Sequence, residues 1–219
     1  MKRHLFLIIS LITICVFLQS CASTGNPLEI NELKPIKEIK VVCYKTPEFK
    51  RHSASTITGG GLLLGGFGMD IVAQDAGKKL RKRCSLPDYN HLVMLNFTNN
   101  IQKEIEDWPA MSIEKNIVEN DYIPQTGCAL CFKVDSLLLY TFGAAKGLTT
   151  AGEVKIISSD GEKIWFHRYL YQQKDYGKVP ELEELEADNC KLLKVQLNFS
   201  AKQVSNELIK DIRAGLNQK

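Results

Sequence analysis

Cys128 and Cys131 form a C-x-x-C pair, the spacing at which two thiols exchange with a disulfide or share a metal. Thiol redox chemistry needs the first cysteine at a helix start, where the amide dipole stabilises the thiolate. Here the residues that follow, Phe132, Val134, Leu137, Leu138, Leu139 and Tyr140, read as a strand. Positions three apart on a strand point to opposite faces, so the pair cannot present both sulfurs to one substrate. Burial or a structural disulfide is expected, with zinc binding and a thiol oxidoreductase as lesser alternatives. Five thiols count once Cys15 and Cys21 in the N-terminal segment are set aside: Cys43, Cys84, Cys128, Cys131 and Cys190. Because five is odd, at least one stays free or pairs between molecules, and the connectivity is open.

Other catalytic patterns are missing. The chain has no G-x-S-x-G elbow and no H-E-x-x-H pair. His52, His91 and His167 are dispersed and read as surface or packing residues rather than bases. Glu181, Glu183, Glu184, Glu186 and Asp188 precede a patterned helix, and without a histidine among them they read as a solvated amino-terminal face rather than a metal site. No enzyme, cofactor or metal is expected.

The unusual stretch is glycine-rich, from Ile57 to Met69, followed by the basic run Lys78 to Arg83. Gly61 and Gly65 make a G-x-x-x-G pair, which lets helices approach closely in lipid. Leu62, Leu63, Leu64 and Phe67 supply apolar surface, and Lys78, Lys79, Arg81, Lys82 and Arg83 suit anionic headgroups. Asp70 ends the apolar run too early for a spanning helix. Three uses follow: a glycine loop against the sheet with a solvated basic run, a membrane- or partner-contacting segment, or phosphate binding. The last lacks the G-K-[ST] ending of a P-loop.

At the N-terminus, Lys2 and Arg3 precede an apolar run from Leu5 to Leu18, and Ser20 stands before Cys21. These are the three regions of a secretory signal, and Ser10, Thr13 and Cys15 interrupt a run already short for a membrane span. Leu18, Gln19, Ser20 and Cys21 resemble the lipobox of a bacterial lipoprotein signal peptide. The resemblance implies diacylglycerol on the Cys21 thiol and cleavage before it, with Gln19 departing from the small residues favoured there. It also implies sorting to the outer membrane, since Ala22 rather than aspartate follows. Removing residues 1–20 leaves 199 of 219 residues and lowers the formal charge from +3 to +1, a balance that does not suggest nucleic acid.

The elements that would position these groups begin after a flexible tether over residues 21–37, with one domain over 38–215 carrying an insertion at 57–83. Ile39, Val41 and Cys43 alternate in a first strand buried on both faces and ended by Pro47. Ser85 to Asp88 open a helix, Pro87 in its first turn, with Val93, Phe97, Ile101 and Ile105 on one face, Met94 and Trp108 widening it, and Pro109 stopping it. A weak strand lies within Met111 to Val118. Strands over 129–140 and 149–157 follow, and Ser159-Asp160-Gly161 joins the latter to one over 164–171 through a tight turn with positive φ at Asp-Gly. Leu193, Leu197, Ala201, Val204, Leu208 and Ile212 mark a second core helix.

The expected fold is α+β: a mostly antiparallel sheet of about four to five strands with two helices packed on one face, preceded by a signal peptide and a flexible tether. This order, the lipobox and the Ser159-Asp160-Gly161 hairpin flanked by Val154, Ile156, Ile164 and Trp165 resemble envelope lipoproteins with a TolB amino-terminal-like fold, including ABC-transport auxiliary and curli-secretion-like lipoproteins. The resemblance implies a non-enzymatic envelope role and carries over no site residue beyond Cys21. The expected protein is a lipid-anchored outer-membrane component facing the periplasm, an accessory or assembly part of an envelope complex with a protein partner and a possible homo-oligomer, without nucleic acid. The alternative is a membrane-inserting or pore-forming oligomer using the glycine-rich segment.

Overall fold

The computed structural model describes residues 28, 30–52, 71–114, 117–118, 122–141, 146–173 and 181–216. Cys21, the signal segment and the candidate contacts Gly61, Leu62, Leu63, Leu64, Gly65 and Phe67 lie outside them.

The chain runs through α1 (Ile30–Leu33), β1 (Glu38–Cys43), β2 (Phe49–His52), α2 (71–84), α3 (Tyr89–Glu104), β3 (Ala110–Ile113), β4 (Cys128–Tyr140), β5 (Gly147–Ser158), β6 (Lys163–Gln172) and α4 (Leu182–Leu216). The fold is α+β with a mixed, largely antiparallel sheet, and it exceeds the expected count with six strands and four helices among the described residues. Strand order is β3-β1-β4-β5-β6, and β2 also pairs with β4. Pairs β4-β5 and β5-β6 are antiparallel, whereas β1 and β2 both run parallel to β4, along its first and second halves.

A bulge lies between the two halves. Leu130, Phe132 and Val134 face the core, then Leu137 and Leu139 do, because Asp135 is an extra residue opposite β5. A bulge bends its strand and shifts side-chain parity, so the apolar face continues across the break. Gly152 sits there for want of space: a Cβ would overlap the Lys133 carbonyl and the Tyr169 hydroxyl.

One core cluster joins this face to the helices. Ile39, Val41, Val93, Phe97, Ile101, Leu193, Leu197, Val204, Leu208 and Ile212 are all fully buried in it. Edge-to-face contacts of Phe97 with Phe132 at 5.3 Å and Trp108 at 5.8 Å lock α3 to the sheet. The opposite sheet face holds a smaller cluster of Val42, Tyr44, Ala129, Cys131 and Ile157, against which Val118 and Tyr122 pack. The first strand is thus buried on both faces, as its alternation indicated.

Several boundaries move. Packing begins before residue 38, since Leu28 and Leu33 belong to the core. Asp88 is the N-cap of α3, its carboxylate accepting from His91 N at 3.0 Å, which places Pro87 ahead of the helix rather than in its first turn. The helix ends at Ile105, four residues before Pro109. At the hairpin only Gly161 has positive φ, +85°, and not Asp160. Gly161 N donates to Ser158 O at 3.0 Å and Ser158 N to Glu162 O at 3.0 Å, a type I turn closed by a left-handed glycine. The pairing shifts just beyond it, between Ile156 and Ile157. Finally, α4 is interrupted at Ala187 to Cys190, where Asp188, Asn189 and Cys190 have φ of +48°, +55° and +59°.

Candidate interaction surface

Helix α2 carries the described part of the predicted contact segment, and it is a fastened element rather than a loop. Ala73, Gly77, Leu80 and Cys84 recur at helical spacing and are buried. Gly77 lies so close to β2 that a Cβ would overlap the Phe49 carbonyl, which lets the helix backbone rest on the strand. At the far end Cys84 is disulfide-bonded to Cys190, 106 residues away, with a Cα–Cα distance of 5.4 Å.

The interrupted start of α4 joins this fastening. Glu186 receives Arg51 of β2 at 3.1 Å and also Arg83 of α2, and its side chain is only 19% exposed. The acidic stretch is therefore not a uniform solvated face: Glu186 turns inward as the common partner of two guanidiniums, because α2, β2 and the left-handed turn converge there. Glu181 pairs with Lys146 outside β5 at 2.5 Å, and the Glu184 carboxylate accepts from Glu181 N at 2.9 Å. On the outer side of α2, Ile71 and Val72 are 63% and 38% exposed. Lys78, Lys79, Lys82 and Arg83 are exposed there too, with Lys79 paired to Asp75 at 2.7 Å. Of the predicted contacts the structure therefore brings together Lys78, Lys79, Arg81, Lys82 and Arg83 on one helix.

The free thiols are unsuited to catalysis. Cys131 is buried on the sheet face away from the helices, and burial pushes its thiol up to about 12 despite Lys155. Cys43 is raised to about 11 by burial and by Asp88. Cys128, which packs against the helix-side cluster, is raised by burial and Asp160. Each stays a thiol at neutral pH, and Cys128 and Cys131 lie on opposite faces of β4. Among the described residues no group of three or more His, Cys, Asp or Glu could hold a metal ion.

The histidines are packing and surface groups. His52 stacks on Tyr140 at 5.0 Å, and His91 is exposed on α3. His167 is buried on β6 beside Asp211 of α4 at 3.2 Å, and burial holds it below its ordinary pKa although Asp211 and Glu207 pull upward.

Sequence reasoning did not find two further features, because both join residues about a hundred positions apart. In the interior, Ser200 Oγ donates to Tyr89 Oη at 3.0 Å, and burial drives the Tyr89 phenol well above its ordinary value. Where α3 and α4 end, a cleft of about 250 Å³ is lined by Leu33, Glu104, Ile105, Glu106, Asp107, Arg213 and Leu216. Arg213 donates there to the Glu104 carboxylate at 2.6 Å and its carbonyl at 2.8 Å. Three carboxylates, those of Glu104, Glu106 and Asp107, line it beside Arg213, and none of its described lining residues is a Ser, Thr, Cys, His or Lys. Among the described residues no helix is long and apolar enough to cross a membrane.

No protein-family model matches the chain, and no curated protein matches it. Two of the solved structures that resemble it distantly are dodecamers. One is a PelC dodecamer from Paraburkholderia phytofirmans in space group P6, 10% identical over 89% of this chain and 98% of that one, with a TM-score of 0.36. The other is a PelC point-variant dodecamer from the same organism in space group C2, 9% identical over 83% and 94% of the respective chains, with a TM-score of 0.24.

Proposed function

We infer that this protein is a lipid-anchored, non-catalytic component of a bacterial cell envelope, presenting an α+β interaction domain to the periplasm from the outer membrane. The observation that carries this is the lipobox-like Leu18 to Cys21 ahead of a domain cross-linked by Cys84 and Cys190. Disulfides form and persist in oxidising compartments, so the bond supports an export route like the one the N-terminal segment suggests. The raised pKa values of Cys43 and Cys131 weigh against a thiol oxidoreductase. Cys21→Ser tests the reading. Palmitate label and pelleting with the outer membrane should both be lost, and a mutant that keeps either overturns the lipid anchor.

A second reading is an assembly of several copies, with membrane insertion of the glycine-rich segment as its extreme form. The observation favouring it is that no described strand pairs with the outer edges of β3 and β6. Unpaired edges are templates for a further strand, and Ile113, Ile117 and Leu170 add exposed apolar surface near them, at 45%, 55% and 48%. Crosslinking in intact membranes tests it: a ladder of self-linked species is expected, and a lone monomer band would refute it. Dye release from vesicles, lost in a Gly61→Leu, Gly65→Leu double variant, would mark the pore-forming form.

A further inference from the structure

The outer face of α2 is built as regularly as its inner one. Ile71, Asp75, Lys78 and Lys82 fall at i, i+4, i+7 and i+11, the same spacing as the buried Ala73, Gly77, Leu80 and Cys84 two residues on. At about 100° per residue the two stripes lie on nearly opposite sides of the helix. Val72, Lys79 and Arg83 flank the outer stripe. Asp75 is its one carboxylate and is already held by Lys79, while Arg83 is tied to Glu186. Among the described residues no carboxylate pairs with Lys78, Arg81 or Lys82. On a mature chain near electroneutrality, three neighbouring unpaired cations form a local field rather than a share of a general excess.

We propose that this face of α2 is a docking surface for the anionic headgroups of the bilayer that carries the anchor, with Lys78 and Lys82 meeting the charges and Ile71 and Val72 entering the interfacial layer. Charge complementarity is the first argument. Rigidity is the second. Gly77 on the Phe49 carbonyl, the Cys84–Cys190 bond and the Arg83–Glu186 pair fix α2 before any contact, so docking does not spend free energy on folding the helix.

The surface rests on the lipid-anchor reading for its partner, so it is tested where the anchor cannot contribute. The Cys21→Ser protein is mixed with vesicles of phosphatidylcholine alone and with vesicles containing phosphatidylglycerol, at low and high salt. Binding should favour the anionic vesicles and weaken with salt. Lys78→Glu with Lys82→Glu should weaken it by on the order of tenfold or more, at unchanged circular dichroism. Lys191→Glu with Lys202→Glu, the same charge change at two exposed positions of α4, should weaken it far less. Equal binding to both vesicle types, no binding to either, no loss in the α2 variant, or an equal loss in the α4 variant would overturn the proposal. Failure of palmitate labelling in the wild type would instead remove the anchor while leaving this measurement interpretable.

Discussion

Replacing Cys84 and Cys190 together with alanine should cost about 3 kcal/mol of stability, and the figure can be built from the structure. The bond closes a loop of 106 residues. In the chain-entropy model a loop of that size removes about 16 cal/mol/K from the unfolded ensemble, or about 4.8 kcal/mol at 25 °C. Against this stands the backbone at Cys190, whose φ of +59° ends a run of three left-handed residues, Asp188 to Cys190. Asp and Asn tolerate that region better than most, but a cysteine there costs about 1–3 kcal/mol, which the variant can recover by relaxing the turn. Taking about 2 kcal/mol for that term leaves about 3 kcal/mol net. For a domain of this size, urea unfolding should shift its midpoint down by roughly 1.5 M. An unchanged midpoint would refute the reasoning.

The close backbone approaches give a second prediction: Gly77→Ala and Gly152→Ala should each destabilise by about 1–3 kcal/mol, read from thermal melts, because a Cβ at either position meets a carbonyl oxygen that cannot move freely. His167 gives a pH dependence. Its folded pKa lies below the unfolded 6.5, so the unfolded chain binds more protons between the two values; stability is complete above about 6.5 and falls as pH drops through that window. Denaturation at stepped pH should show the loss, and His167→Gln should flatten it. Cys43, Cys128 and Cys131 should alkylate slowly at neutral pH in the folded protein and rapidly in denaturant, Cys128 being the fastest of the three as the least buried.

How much of this was legible in the sequence depends on whether the deciding contact is local. The α4 stripe from Leu193 to Ile212 and the alternation of Ile39, Val41 and Cys43 declare themselves, because period alone decides which face is buried. The hairpin was also visible, although Asp160 keeps negative φ, since the type I turn with a following glycine uses the same residues as the expected turn. Strand β2 was not visible. Phe49 to His52 contains three cationic or polar residues and is a strand through its pairing with Leu137 to Tyr140, far along the chain. Helix α2 was hidden for a related reason: its buried stripe uses Ala73 and Gly77, small residues that look like no apolar face until a backbone is seen to lie against them. Glu186 was misjudged as part of a solvated run because its partners, Arg51 and Arg83, are more than a hundred residues away. Connectivity of the cysteines is likewise nonlocal, and spacing could not choose Cys84 with Cys190.

The central claim is that a disulfide-closed domain is held at the envelope by lipid on Cys21, and intact mass spectrometry of the protein extracted from membranes tests both halves at once. The account predicts a polypeptide that starts at Cys21, carries the mass of acyl chains on that residue, and contains one disulfide, which reduction converts to two further alkylatable thiols. A membrane-extracted chain that begins at Met1, or one that begins elsewhere without acyl mass, would contradict it.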